Sequence, residues 1–239
     1  MSGGKETAGY ERIVEVGEYK VNVVEKGSGP CLVMLHGEDD QQGWKAWEGF
    51  LSLADGHRLI MPDLVGFGKS SRPVETPDYY AQARILHELL QVLKVEEATI
   101  AGYSWGGQIA LEVAIDWPEN VENLMLVAST YDKGQLLKLG KIRKPSLIIW
   151  AEDDLVTQLK GGYILRDAIG TSRIEVLAPV AKDPKHDFTI AHRLLFSRAQ
   201  DVLRLFSAFL ASPSGAIAEP PEMEKELRGM AMKSDADKP

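Results

Sequence analysis

Cysteine is almost missing: Cys31 is the single one in 239 residues, which excludes a disulfide scaffold. No Cys/His cluster has the spacing of a zinc site, and no G-x-G-x-x-G opens the first helix, so we expect no metal and no nucleotide cofactor. No apolar run approaches the roughly 18 residues a bilayer span requires. Residues 1–9 are polar and lack the apolar centre of a signal peptide. Basic residues are in deficit, with 27 Lys and Arg against 35 Asp and Glu and a formal net charge of −8. A global basic footprint for nucleic acid or an anionic membrane is therefore absent. These absences lead us to expect a soluble, cytoplasmic protein, with the oligomeric state open.

What is present is apolar and periodic. With 44% hydrophobic residues the chain can bury a large core without staples. Residues 12–25 alternate apolar and polar around Gly17-Glu18, the pattern of a hairpin. The run CLVML at 31–35 is apolar throughout, as in a strand covered on both faces. Short apolar strands at 59–61, 98–101, 124–128, 147–151 and 174–177 then alternate with helical patterns at 44–54, 79–94, 105–117, 157–169 and 198–211. Strands interleaved with helices predict an α/β fold with a mostly parallel sheet and helices on both faces. We read 1–211 as one domain and 212–239, rich in proline and charge, as a mobile tail.

The chemistry concentrates around one serine. Gly102-Tyr103-Ser104-Trp105-Gly106 fits G-x-S-x-G, follows an apolar strand and opens an amphipathic helix. That setting forms a nucleophile elbow, a tight turn that needs small neighbours and points the serine oxygen out of the sheet. His36-Gly37 ends the strand at 31–35, and a loop there can aim a backbone N–H at the oxygen above Ser104. The expected oxyanion donors are the N–H groups of Glu38 and Trp105, with His36 in a structural part. Asp63-Leu64-Val65-Gly66-Phe67-Gly68-Lys69-Ser70 supplies a glycine-rich loop toward the same edge.

With the HG loop, the D-L-x-G-F-G-x-S loop and the G-x-S-x-G-G elbow in this order, residues 10–210 resemble the α/β-hydrolase family. The resemblance implies an eight-stranded sheet with the serine after strand five, and the chain order nucleophile, acid, histidine. Only His186 and His192 follow Ser104. His186 is nearer the strand end, and His186-Asp187-Phe188 resembles an H-x-F pattern, so it is the favoured base. Spacing counted back from the last helix favours His192, which stays the alternative. For the acid, Ala151-Glu152-Asp153-Asp154 resembles G-x-x-D and selects Asp154, with Asp153 and Asp132 as alternatives.

The implied activity is that of a serine hydrolase acting on a small-molecule acyl substrate through a Ser-His-Asp triad: a carboxylesterase or thioesterase, EC 3.1. Amidase, deacetylase and carbon–carbon hydrolase chemistry share the triad and stay open. Only residues 130–145 separate two strands where many relatives carry a cap, so we expect a capless, open site. Tyr103 and Tyr131 are expected to line its pocket. Acidic residues Glu38, Asp39 and Asp40 favour neutral or cationic substrates. The competing reading is a non-catalytic hydrolase-like module for ligand or protein binding, which predicts that neither histidine reaches Ser104.

Overall fold

The computed structural model describes residues 9–38, 43–179 and 189–214. Eight strands form one sheet in the order β1-β2-β4-β3-β5-β6-β7-β8. The predicted hairpin is β1 (Tyr10–Val16) and β2 (Tyr19–Lys26), turned at Gly17 with φ +54°. β2 pairs antiparallel with β4 (Arg58–Pro62). From β4 onward every neighbouring pair is parallel, through β3 (Cys31–Leu35), β5 (Ala98–Tyr103), β6 (Val121–Val127), β7 (Ser146–Ala151) and β8 (Ser172–Leu177). Parallel neighbours need crossovers, and the crossovers cover both faces, which is why these strands are apolar on both sides.

Strand alternation divides the apolar residues into two layers. Val33, Leu35, Ile100, Leu124 and Trp150 pack against α1 (Tyr79–Val92), α2 (Trp105–Asp116) and α4 (Leu159–Ala168). Leu32, Met34, Ala101, Met125 and Ile149 pack on the other face. They meet the segment Gly43–Asp55, a 3-10 helix where an α-helix is expected, and the terminal helix α7 (Ala199–Ala211). Between β6 and β7 lie only the four-residue helix α3 (Lys133–Leu136) and a 3-10 turn at Leu139–Lys141. Two further four-residue helices, α5 (Thr189–His192) and α6 (Leu194–Ser197), precede α7. Among the described residues no helix is long and apolar enough to cross a membrane. The expected tail from residue 215 lies outside the described residues.

The parallel strands deliver their C-terminal ends to one edge. Ser104 follows β5 there, residues 36–38 follow β3, and Asp154 follows β7. An open α/β sheet places its ligand crevice at that edge.

Candidate active site

Ser104 sits between β5 and α2 with φ 51° and ψ −117°. A non-glycine residue in that region is strained and persists only where its surroundings hold it. Its N–H donates to the Val127 carbonyl at 2.9 Å, and its carbonyl receives the N–H groups of Gly107 at 2.9 Å and Thr130 at 3.1 Å. The flanking glycines allow close backbone approach. A Cβ on Gly102 would lie 2.3 Å from the Gly106 carbonyl oxygen, and one on Gly106 would lie 2.4 Å from that of Leu35.

The ring that reaches the serine belongs to His192. Its Nε2 is 3.0 Å from Ser104 Oγ, and its Nδ1 is 2.9 Å from Asp154 Oδ2. The favoured histidine, His186, lies outside the described residues. The histidine in contact with Ser104 is the one named as the alternative. The physical reason lies on the helix side: Ala191, Leu194 and Leu195 are buried in the core layer under α7, which fixes His192 between them. Counting from that anchor locates His192, whereas counting from β8 crosses a loop of no fixed length.

Asp154 is the carboxylate that meets the ring. It is 2% exposed. Its Oδ1 accepts the N–H groups of Val156 and Thr157 at 2.8 and 2.9 Å, and its Oδ2 accepts the Thr157 hydroxyl at 2.8 Å. Burial alone pushes this carboxyl up, but the bond from His192 and those from Thr157 outweigh it and hold the group below the ordinary carboxylate range. Asp132 is engaged elsewhere. It caps α3 through the Gln135 N–H at 2.8 Å and accepts the Tyr79 hydroxyl, which lowers its pKa and raises that of Tyr79. Neither Asp132 nor Asp153 is the contact of His192 at Nδ1.

Tyr103, expected at the pocket, lies against His192. It is buried, its ring centroid is 5.5 Å from that of His192, and its hydroxyl donates to the His192 carbonyl at 3.2 Å. Its bulk and polar tip hold His192 in place. Tyr131 lies with Thr130, Trp150, Thr157, Gly161 and Ile164 around a cavity of about 550 Å³. His36 Nδ1 donates to the Gly37 carbonyl at 2.8 Å, and its Nε2 accepts the Leu64 N–H at 3.0 Å. These bonds fix a neutral ring that holds the loop. Gly37 packs against the serine, since a Cβ there would lie 3.2 Å from Ser104 Cβ. The backbone leading to Glu38 thus runs beside Ser104, and Trp105 opens α2, whose first N–H groups have no partner within the helix. Asp39 and Asp40 lie outside the described residues.

Thr157 and Asp63 are the supports that motif reading undervalues. Thr157 was legible as D-x-x-T, a spacing that lets a side chain close a turn on its own backbone. Asp63 ties the two site loops together, accepting the N–H groups of Trp44 at 2.7 Å and Lys69 at 2.8 Å.

Comparison with known proteins agrees with the fold. Residues 30–139 match the sequence family described as alpha/beta hydrolase fold. The structure superposes on a predicted CIB-like hydrolase from Thermoplasma acidophilum with a TM-score of 0.76 and 20% identity, covering 85% of this chain and 98% of the other. The fold is the α/β-hydrolase fold. By sequence, the chain is 37% identical over 114 residues to a 2-hydroxymuconate semialdehyde hydrolase of Pseudomonas sp. (strain CF600), covering 46% of this chain and 40% of that protein. It is 39% identical over 106 residues to Lipase 3 of Moraxella sp. (strain TA144), covering 42% of this chain and 32% of that protein. A fluoroacetate dehalogenase of Burkholderia sp is 35% identical over 126 residues, covering 50% of this chain and 41% of that protein. The matches thus span less than half the length of these relatives.

Proposed function

We propose that this α/β-hydrolase-fold protein is a serine hydrolase that cleaves a carboxylic ester or thioester of a small-molecule acyl substrate through an acyl-enzyme. The observation that carries the reading is the continuous path from Ser104 Oγ through His192 to Asp154, with both links at 3.0 Å or less. In this reading His192 Nε2 takes the Ser104 proton as Oγ attacks the carbonyl carbon. Asp154 holds the Nδ1–H and stabilises the imidazolium. The N–H groups of Glu38 and Trp105 receive the developing oxyanion. The imidazolium then protonates the leaving alcohol or thiol, and water repeats the sequence to release the acid.

The relatives' names support hydrolytic chemistry but span several bond types. Serine at the elbow favours an acyl-enzyme, because dehalogenase and epoxide-hydrolase chemistry in this fold uses an aspartate there. The short segment between β6 and β7 supports a capless site, and the cavity beside Tyr131 is the proposed substrate pocket. The contact of His192 with Ser104 speaks against the non-catalytic module.

The test is intact-mass analysis after exposure to a fluorophosphonate probe. Wild type gains one adduct, Ser104→Ala gains none, and His192→Ala labels at least 100-fold more slowly, the low end of a general base's contribution. His186→Ala labels like wild type. An unlabelled wild type that is folded overturns the proposal.

A further inference from the structure

The mechanism above leaves the Thr157 hydroxyl without a role. Its oxygen lies 2.8 Å from Asp154 Oδ2, 3.2 Å from His192 Nδ1 and 3.3 Å from the Ala128 carbonyl oxygen. A hydroxyl gives one hydrogen and can accept on its lone pairs. Given to Asp154, that hydrogen occupies part of the charge on the oxygen that also holds His192. Given to Ala128, it leaves Oδ2 to His192 and turns Oγ1 into a second acceptor for the Nδ1–H. The two arrangements differ by rotation about one Cβ–Oγ bond. The backbone N–H of Thr157, fixed on Asp154 Oδ1 at 2.9 Å, keeps the hydroxyl in reach of all three partners.

We propose that Thr157 is a positioning residue of this site, its hydroxyl sharing Asp154 Oδ2 with His192 while the ring is neutral and turning to the Ala128 carbonyl when the ring is protonated. The inference rests on the reading of Ser104, His192 and Asp154 as an acid–base relay. Only the Ser104 proton changes owner, moving from Oγ to Nε2; the Thr157 hydrogen stays on its oxygen. The neutral ring then meets an acid whose charge is partly satisfied, and the imidazolium meets a full carboxylate oxygen plus a hydroxyl lone pair. The acceptor set strengthens as charge appears, which lowers the barrier rather than binding the ground state. The groups facing the ring are Asp154 and Thr157 from the loop after β7, and Ser104 and Tyr103 from the end of β5. Tyr103 gives its hydrogen to the His192 carbonyl, and the neighbouring Arg193 guanidinium lies 4.7 Å over the Phe196 ring.

The experiment follows the His192 ring nitrogens by NMR across pH in the full chain, with Thr157→Val, Thr157→Ala and Thr157→Ser beside wild type. Val keeps the shape and the backbone N–H, Ala covers the case in which Val disturbs packing, and Ser restores the hydroxyl. Without the hydroxyl the imidazolium loses its second acceptor, so the His192 titration midpoint moves to lower pH in Val and Ala and returns in Ser. Fluorophosphonate labelling at neutral pH slows about tenfold in Val and Ala, as expected for losing one hydrogen bond to a charged group. An unmoved midpoint, or Ser behaving like Val, overturns the proposal, as does labelling of Val at the wild-type rate. A shifted midpoint in a chain whose wild type takes no label keeps the Thr157–His192 coupling and removes the hydrolase reading, so the two fail separately.

Discussion

At Gly106 the first turn of α2 comes so close to the end of β3 that an added methyl would lie 2.4 Å from the Leu35 carbonyl oxygen and 2.5 Å from that of His36. Both neighbours are backbone, so neither can rotate away. Gly106→Ala must push the helix start off the strand, and overpacking of this kind costs about 1–3 kcal/mol. The same shift moves the Trp105 N–H relative to Ser104. We therefore expect a lower urea midpoint with unchanged slope, and fluorophosphonate labelling slowed by at least tenfold; a variant with wild-type midpoint and labelling would contradict the close approach. Glycines of this kind, and Ser104 itself, were legible in the sequence because the turn that needs them is local. Asp154 was legible through its distance from β7. His192 was not, because the choice between two histidines depended on a loop without periodic signal. The deciding residues, Ala191 and Leu194–Leu195, declare themselves only by what they bury. The contact of Tyr103 with the His192 carbonyl was not legible for a similar reason, since it joins residues 89 positions apart.

Between elements, Asp63 is the tie on which the active-site edge depends. Its carboxylate accepts from Trp44 at the start of the 3-10 segment, from Lys69 in the loop after β4, and from Asn22 Nδ2 of β2 at 2.9 Å. Gly43 and Gly68 have φ of +62° and +49° and leave room for that carboxylate, since a Cβ on either would lie within 2.1 Å of it. Asp63→Ala leaves three donors without their acceptor at about 1–3 kcal/mol for each that stays buried. We expect a loss of about 3 kcal/mol, read as a fall in Tm, together with slower labelling of Ser104 as the loops around His36 loosen. Retention of the wild-type Tm would show that the three donors find other acceptors. The strands and long helices were legible at this scale because periodicity and apolar runs report burial directly. The helices α3, α5 and α6 were not, because four residues are too few to show a period. The 3-10 character of Gly43–Asp55 escaped because its apolar spacing also suits an α-helix.

Across the whole molecule, the antiparallel corner of the sheet is held by a buried charge. Glu25 on β2 is 2% exposed and lies between Arg12 of β1 at 2.7 Å and Arg58 of β4 at 2.6 Å. Burial pushes its carboxyl up, but the bonds from Arg58 and Arg12 outweigh that and hold it low. Glu11, Asp132 and Asp154 are likewise held low, Glu11 and Asp132 chiefly by Lys69 and Tyr79, and Asp154 by His192 and Thr157 against its own burial. A carboxyl with a lowered folded pKa binds protons more readily in the unfolded chain. Its contribution is therefore full above the unfolded value of about 4 and is lost as pH falls through the folded value. All four groups act in the same direction, so stability should drop steeply below about pH 4. Glu25→Gln removes one of them and leaves two guanidiniums facing an amide. Arg12 and Arg58 are 45% and 28% exposed, so water compensates part of the loss, and we expect about 2 kcal/mol at neutral pH rather than the full cost of a broken buried pair. The difference between wild type and Glu25→Gln should then shrink as pH falls from 5 to 3, because the wild type protonates the group that the variant already lacks. Urea midpoints at several pH values measure this directly. A difference that stays constant to pH 3 would mean that Glu25 acts through shape and packing, and that the charge at the sheet's corner contributes nothing.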